Sequence, residues 1–217
     1  MKAFFLSFAA ICLLTVSAQA VELVQIANLH PTQSSVGMKA VEVKKKEIEK
    51  QTPEEFANFL REETVPVVIG PNGEKYLIDN HHQSRALLDS GKSEVYIEVE
   101  ADWSKLSPKK FWKLMEQKKY VYLRDAEGNK IKPEALPAKI SEMTDDPYRS
   151  LAYFARKAKA YKKSKIPFSE FKWAEYYRTH IPLTDIQGDW DAALKKAIEI
   201  SSLPAAKELP GYQEAKK

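Results

Sequence analysis

Tyr76-Leu77-Ile78-Asp79-Asn80-His81-His82-Gln83-Ser84-Arg85-Ala86 is the stretch on which the reading of this chain turns. Lys75 to Ile78 reads as a strand. Gln83 to Ser90 reads as a helix closed by Gly91. The polar residues between them therefore sit where a strand ends and a helix begins. Free backbone N–H groups and the helix dipole make such a junction an anion site. Two of the four histidines in the chain are adjacent here, and with Arg85 they complete the inventory of a phosphate pocket. The plainer reading makes Asp79 the helix N-cap and lets the histidines fill the first turn. The sequence supports both.

Working outward, Val65 to Ile69 is β-branched and reads as a buried strand. Gly70-Pro71-Asn72-Gly73 is a turn, so this strand and Lys75 to Ile78 form a hairpin. Upstream, Thr52-Pro53-Glu54-Glu55 carries the marks of a helix start, with Phe56, Phe59 and Leu60 as its apolar stripe. Val21 to Ile26 reads as a first strand. Met38 to Val43 alternates like a strand, whereas Lys44 to Lys50 reads as helix. Downstream, Val95 to Val99 is a strand, and Ser107-Pro108 opens a helix carrying Phe111, Trp112, Leu114 and Met115. Tyr120 to Leu123 is a short strand. From Tyr148 the pattern is helical, with stripes at Leu151, Ala152, Ala155 and Ala158, at Phe171, Trp173 and Tyr176, and in Trp190 to Ser201. Residues after Pro204 read as a loose polar tail.

The first twenty residues have the form of a secretory signal peptide. Lys2 starts it, Ala3 to Val16 is nearly all apolar, and Ala18-Gln19-Ala20 is a small-residue cleavage site before Val21. Export to the periplasm or beyond the cell is the expectation. The only cysteine, Cys12, lies in that segment. A mature chain without thiols excludes disulfides, iron–sulfur clusters, cysteine nucleophiles and sulfur-ligated zinc. No second long apolar stretch follows, so no membrane association is expected after cleavage. A formal net charge of +4 is too mild to imply nucleic acid or an anionic membrane by itself. The usual phosphate-loop and dinucleotide motifs are absent, as are G-x-S-x-G and H-E-x-x-H. Adjacent histidines diverge on a helix, and His30 and His180 are remote in sequence, so spacing assigns no metal site.

Two further features bear on chemistry. Leu29-His30-Pro31-Thr32-Gln33 follows a strand as a polar loop, so its side chains either face a site or make an ordinary turn. Arg149, Arg156, Lys157, Lys159, Lys162, Lys163 and Lys165, with Tyr153, Tyr161 and Phe168 interleaved, form either a nucleic-acid-binding face or the solvated side of a helix. Trp112, Trp173, Tyr176 and Trp190 are expected in the core.

The box Leu29 to Gln33, the segments Val65 to Pro71 and Tyr76 to His82, and Asp145-Asp146-Pro147-Tyr148-Arg149-Ser150-Leu151-Ala152 occur in this order. Together they resemble the ParB-like nuclease family, a branch of the ParB/sulfiredoxin fold, over about residues 24 to 180. The resemblance implies an α+β fold: a small mixed-sheet domain at residues 21–140, a helical extension packed on it at 141–203, and a flexible tail at 204–217. It also implies a phosphate-binding turn after a strand. In ParB proteins that turn reads roughly G-E-R-R-x-R-A, and Arg85-Ala86 match its end. In sulfiredoxins the motif is G-C-H-R. His81 stands in place of the cysteine, which excludes that reaction, while His82 matches the histidine and Gln83 replaces the arginine. Free-serine kinases of the fold carry a D-G-H-x-type segment that Asp79 and His82 fit, but no acidic partner is identified and Gln33 cannot act as a base. ATP and CTP are scarce outside the cytoplasm, which disfavours kinase chemistry.

With the signal peptide, the resemblance points to an exported protein that binds a phosphate-containing ligand, nucleic acid included, and hydrolyses phosphodiesters. His82 is the expected general acid/base, because an unperturbed histidine titrates near neutrality. Asp79 is expected to orient the turn as the second catalytic residue. His81, Arg85, Asn80, Gln33, Thr32 and Arg149 are expected to hold the ligand. A divalent cation is the cofactor that many nucleases use. The alternative is a non-enzymatic periplasmic binding or interaction protein on the same fold.

Overall fold

The structure is a computed structural model and describes residues 21–214. The signal-peptide reading of residues 1–20 lies outside the described residues. The fold is α+β. Its elements are, in chain order, β1 (Glu22–Gln25), β2 (Leu29–Pro31), β3 (Ser35–Val36), α1 (Met38–Glu49), α2 (Pro53–Glu62), β4 (Val65–Ile69), β5 (Lys75–Leu77), α3 (His81–Asp89), β6 (Glu94–Asp102), α4 (Pro108–Lys118), β7 (Thr144–Asp145), α5 (Pro147–Lys157), α6 (Ser169–His180), α7 (Leu183–Gly188) and α8 (Trp190–Ile200).

Five strands form one mixed sheet in the order β1-β6-β4-β5-β2. The β4–β5 hairpin is antiparallel, with Val68 opposite Tyr76, and β2 adds to β5 in parallel. Side-chain alternation splits β4 between two cores. Val65 and Val67 pack with Leu77, Leu87 and Ile97 and with Val41 and Ile48 of α1. Val68 faces the other way, onto Phe111 and Met115 of α4. Helix α2 starts as its sequence indicates: the Thr52 side chain and Glu55 make a reciprocal capping box, and Pro53 takes the first helical position. The helices α5 to α8 bury a third core around Trp173, Tyr161 and Tyr177. The two-residue β3–β7 ladder joins the start of α1 to the start of α5.

Three local expectations differ from this structure. Met38 to Val43 is helical, because Ala40, Val41 and Ile48 face the core at a helical repeat, which outweighs the period-two match of Val41 and Val43. Tyr120 to Leu123 joins no sheet. It makes an isolated bridge from Tyr122 to Gln33, while Val121 packs under α4. The segment after Pro204 is not loose in this structure through its described length. Ala206 is fully buried, the Trp173 indole N–H donates to Pro210 O at 2.8 Å, and Lys162 N–H donates to Gly211 O at 2.8 Å. The sequence stripe of Trp173 needed a cover, and this segment supplies it. Among the described residues, no helix is long and apolar enough to cross a membrane.

Candidate functional site

The turn from β5 into α3 is built by Asp79 and Asn80. Asn80 adopts a left-handed conformation, φ 62°, which asparagine tolerates better than most side chains. Its Nδ2 donates to Thr64 O at 3.1 Å, pinning the turn beside β4. Asp79 is exposed, and its Oδ1 accepts the N–H of Asn80 at 2.7 Å. Asp79 is therefore not the N-cap of α3. Asn80 occupies that position, without a side-chain cap.

The two histidines that open α3 point apart. His81 is 2% exposed. Its Nε2 accepts the backbone N–H of Thr32 at 3.1 Å, and the buried Thr32 hydroxyl donates to Leu77 O at 2.7 Å. A neutral imidazole that accepts at Nε2 carries its proton on Nδ1, and Nδ1 of His81 has no partner. Burial, helped by the nearby Arg149 charge, takes the His81 pKa down to about 3. His82 is half-buried, and its Nε2 accepts the N–H of Gly37 at 3.0 Å. Its pKa is pulled well below the usual value by burial, then by the charges of Arg149, His81 and Lys44. The near-neutral titration expected of His82 is thus corrected: the ring is held neutral, and Nε2 is already occupied. Gly37 makes this contact accessible. A Cβ there would lie 2.5 Å from Ser150 N, so only glycine lets the start of α1 approach α5 this closely.

Arg85 does not hold the cleft. Its Nε donates to both Asp89 oxygens at 3.0 and 3.2 Å, and its Nη1 donates to Met143 O at 2.8 Å. It ties α3 to the segment before β7.

Arg149 faces the cleft instead. Helix α5 begins with Asp146 as N-cap, accepting from Tyr148 N–H at 3.0 Å. This sets Arg149 in the first turn, only 4% exposed. Its guanidinium carbon lies 3.3 Å from the centroid of the Phe171 ring, and Phe171 in turn packs on Tyr122 at 3.8 Å. This aromatic shelf fixes the guanidinium plane. Nε and Nη1 find no acceptor. Burial lowers the Arg149 pKa, against the opposing charges of Glu170 and Asp146, and an arginine stays protonated at neutral pH regardless. Asp146 is committed elsewhere, accepting from Arg178 Nη2 at 2.7 Å. Burial pushes its carboxyl up despite Arg178 and Arg149. Glu170 pairs with Arg156.

Gln33 completes the group. The Tyr122 N–H to Thr32 O bond at 2.9 Å holds its backbone, the residue is 7% exposed, and its Oε1 has no partner. Gln33, Asp79, Asn80, His81, His82 and Arg149 line one cleft of about 800 Å³, ringed by Lys44, Lys119, Lys163 and Lys165. Of the residues expected from the sequence, Thr32 stands behind the wall and acts through its backbone. The basic stretch divides: Arg149 is buried, Arg156, Lys163 and Lys165 border the cleft, and Lys157, Lys159 and Lys162 are exposed away from it. Lys44, Lys119 and the Phe171–Tyr122 shelf were not anticipated. A lysine on an amphipathic helix carries no signal of the face it serves. Among the described residues, no group of three or more His, Cys, Asp or Glu side chains is placed to hold a metal ion.

A geometry of this kind has relatives. Residues 22–179 match the family model described as "Putative ParB-like nuclease". Protein Atu1540 from Agrobacterium tumefaciens, known from its crystal structure, is 35% identical and superposes with a TM-score of 0.84. The match covers 91% of this chain and 100% of Atu1540. No curated protein matches the chain. By the extent of the family match and the identity to Atu1540, the chain belongs to the ParB-like nuclease family.

Proposed function

We propose that the cleft binds a phosphate-containing ligand and that the protein acts on it as an exported phosphodiester hydrolase. The observation that carries the reading is Arg149: a buried guanidinium with two nitrogens lacking any acceptor, beside His81 Nδ1, which lacks one as well. A buried guanidinium with unmatched N–H donors is costly, and an oxyanion removes that cost with short, charge-assisted hydrogen bonds. The surrounding lysines draw an anion toward it. Family membership supports nuclease-type hydrolysis, and the form of residues 1–20 supports export.

In this reading Arg149 and the Nδ1–H of His81 hold phosphate oxygens. Gln33 orients a hydroxyl or a water. Asp79 takes the attacking water's proton, since it is the carboxylate at the turn and only its Oδ1 is engaged; the water oxygen bonds to phosphorus as the opposite P–O ester bond breaks, and the leaving alkoxide takes its proton from solvent. His82 positions the start of α1 and transfers no proton. Hydrolysis of bis(p-nitrophenyl) phosphate tests this, with and without added divalent cations. Asp79→Asn is expected to lower turnover at least a hundredfold while the thermal shift produced by inorganic phosphate remains. Equal turnover in the variant rejects the role of Asp79. No phosphate-induced shift in the wild type rejects the anion site. The second reading, ligand capture without hydrolysis, is favoured by one observation: both imidazoles spend Nε2 on backbone N–H groups. A phosphate shift without turnover under any metal condition would select it.

A further inference from the structure

His30, from the same polar box as Gln33, lies outside the cleft. It sits half-buried on β2, an edge strand of the sheet, and both of its ring nitrogens face oxygen. Nδ1 is 3.1 Å from Ala138 O, and Nε2 is 2.7 Å from Glu74 Oε2. Glu74 comes from the β4–β5 turn. Ala138 comes from the segment 136–143, whose Leu136 packs against the core under α4 and whose Ile140 and Met143 sit in the core of Val65 and Leu77. One side chain thus fastens three pieces of chain that are remote in sequence.

The two bonds set a proton count. A carbonyl oxygen and an ionised carboxylate only accept, and a neutral imidazole has a single N–H. The second bond needs one proton more. That proton sits either on the ring, as an imidazolium beside a carboxylate, or on Glu74, which then donates to Nε2 while Nδ1–H donates to Ala138 O. The count is the same in both cases. Without it, two lone pairs meet at one of the contacts, and that bond is lost. The other charged and titratable groups here do not supply it. The Tyr76 ring lies 5.3 Å from His30, and burial together with Glu74 raises its hydroxyl pKa, so it stays neutral. Lys75 turns to Glu22 at 3.6 Å. Lys139 and Glu142 are the charged residues of the segment, and Glu142 accepts the N–H groups of Ala138 and Lys139 at 3.1 and 3.2 Å.

We infer that His30 and Glu74 form a proton-held latch: with the extra proton bound, the pair fastens segment 136–143 to the edge of the sheet, and loss of that proton releases it. The fastened state binds one proton more than the released one, so fastening is favoured as the pH falls and is lost as the pH rises. This sense is opposite to that of His81 and His82, which hold their backbone partners only when neutral. The latch stands apart from the anion-site reading, but the chain connects the two. Arg85 holds the far end of the segment through Met143 O at 2.8 Å, and β7 and the Asp146 cap of α5, the helix of Arg149, follow directly. On the other side, His30 precedes by two residues Thr32, whose N–H is bonded to His81.

The test is amide hydrogen exchange at Ala138, Lys139, Glu142 and Met143, whose N–H groups are all bonded within the segment. Protection, corrected for the intrinsic pH dependence of exchange, is compared at about pH 5.5 and about pH 8.5, on either side of the range in which histidine changes charge. The wild type is expected to lose at least about tenfold of its protection at the higher pH, the worth of one hydrogen bond to a charged group. His30→Ala should be poorly protected at both. Glu74→Gln is the deciding variant. Its amide N–H donates to Nε2 of a neutral ring, which keeps Nδ1–H for Ala138 O, so the segment should stay protected at both pH values. Wild-type protection that does not change with pH overturns the latch. So does a pH-dependent loss in His30→Ala, or a Glu74→Gln variant that is unprotected at the higher pH.

Discussion

His81 Nε2 accepts the backbone N–H of Thr32 across 3.1 Å, and this one bond sets the character of the cleft. It joins α3 to the connection after β2 and leaves the ring no second proton to carry at Nε2. His82 repeats the arrangement with Gly37 at 3.0 Å. The pair that looks most like an acid–base device is therefore a pair of neutral struts, each carrying its proton on Nδ1.

Stability should accordingly fall in acid. Both histidines have folded-state pKa values below the ordinary value, His81 at about 3 and His82 lowered as well. The unfolded chain therefore binds more protons wherever the pH lies below about 6.5 and above the folded pKa. Their contribution is complete above about pH 6.5. It is lost progressively as the pH drops toward about 3, with a slope of up to about 1.4 kcal/mol per pH unit for each histidine. Urea unfolding between pH 7.5 and 4.5 measures this slope. His81→Asn should make it shallower, and an unchanged slope would refute the assignment.

Arg149 and Arg85 should separate cleanly. Removing the buried charge by Arg149→Met keeps the apolar contact with Phe171 and relieves the burial of unmatched donors, so the ligand-free protein is expected to be no less stable than the wild type while the phosphate-induced thermal shift is abolished. Arg85→Ala loses the bonds to Asp89 and Met143 O. It should cost about 1.5–3 kcal/mol and leave the phosphate shift intact. Thermal unfolding of both variants, with and without phosphate, reads all four outcomes. A phosphate shift lost in Arg85→Ala alone would restore Arg85 to the site.

The buried Asp146 pairs with the half-buried Arg178 at 2.7 Å, and Asp146 also caps α5. Arg178 reaches Ala126 O as well, so the pair ties α6 to the loop beside Tyr122 and thereby to the shelf under Arg149. Arg178→Ala strands the buried Asp146 carboxylate and should cost about 3–5 kcal/mol, whereas Asp146→Ala leaves the half-buried Arg178 with Glu175 at 3.7 Å and should cost less. The double variant should cost less than the sum. Additive losses in a denaturant-based cycle would show that the two residues act independently.

Much of this was legible in the sequence because local and tertiary signals agree. Thr52-Pro53-Glu54-Glu55 has one good conformation, and Gly70 to Gly73 between two apolar runs is a hairpin wherever it packs. The failures occur where two periods fit the same residues. Met38 to Val43 satisfies both alternation and a helical stripe, and only the distant Ile48 decides between them. The choice between Arg85 and Arg149 had a readable signal. Arg149 lies three residues before Ala152 on the stripe of α5 that the core buries, and an arginine placed there needs a reason. Arg85 follows the histidines by a helical turn yet reaches Met143 O, a partner 58 residues away that no local pattern announces. The backbone acceptors at Nε2 of His81 and His82 are likewise invisible, because the sequence does not show which loop N–H will lie beside a ring.

The chain's last described stretch should matter more than its polar composition suggests. Trp173 is fully buried, and its only partner for the indole N–H is Pro210 O. The Tyr212 hydroxyl donates to Ser202 O at 2.9 Å, and Ala206 is sealed into the same core as Trp173 and Tyr177. Ending the chain at Leu203 would strip that cover and leave a buried N–H unpaired, which alone costs about 1–3 kcal/mol. The loss is expected to spread through α6 toward Phe171 and Arg149. The truncated protein should therefore unfold at lower urea, and also show a weaker phosphate shift than the whole chain under conditions where both are folded. Trp173→Phe in the intact chain removes the N–H while keeping most of the apolar contact. It should recover much of the difference when combined with the truncation, whereas a truncation that changes neither midpoint nor phosphate shift would show that the segment is dispensable.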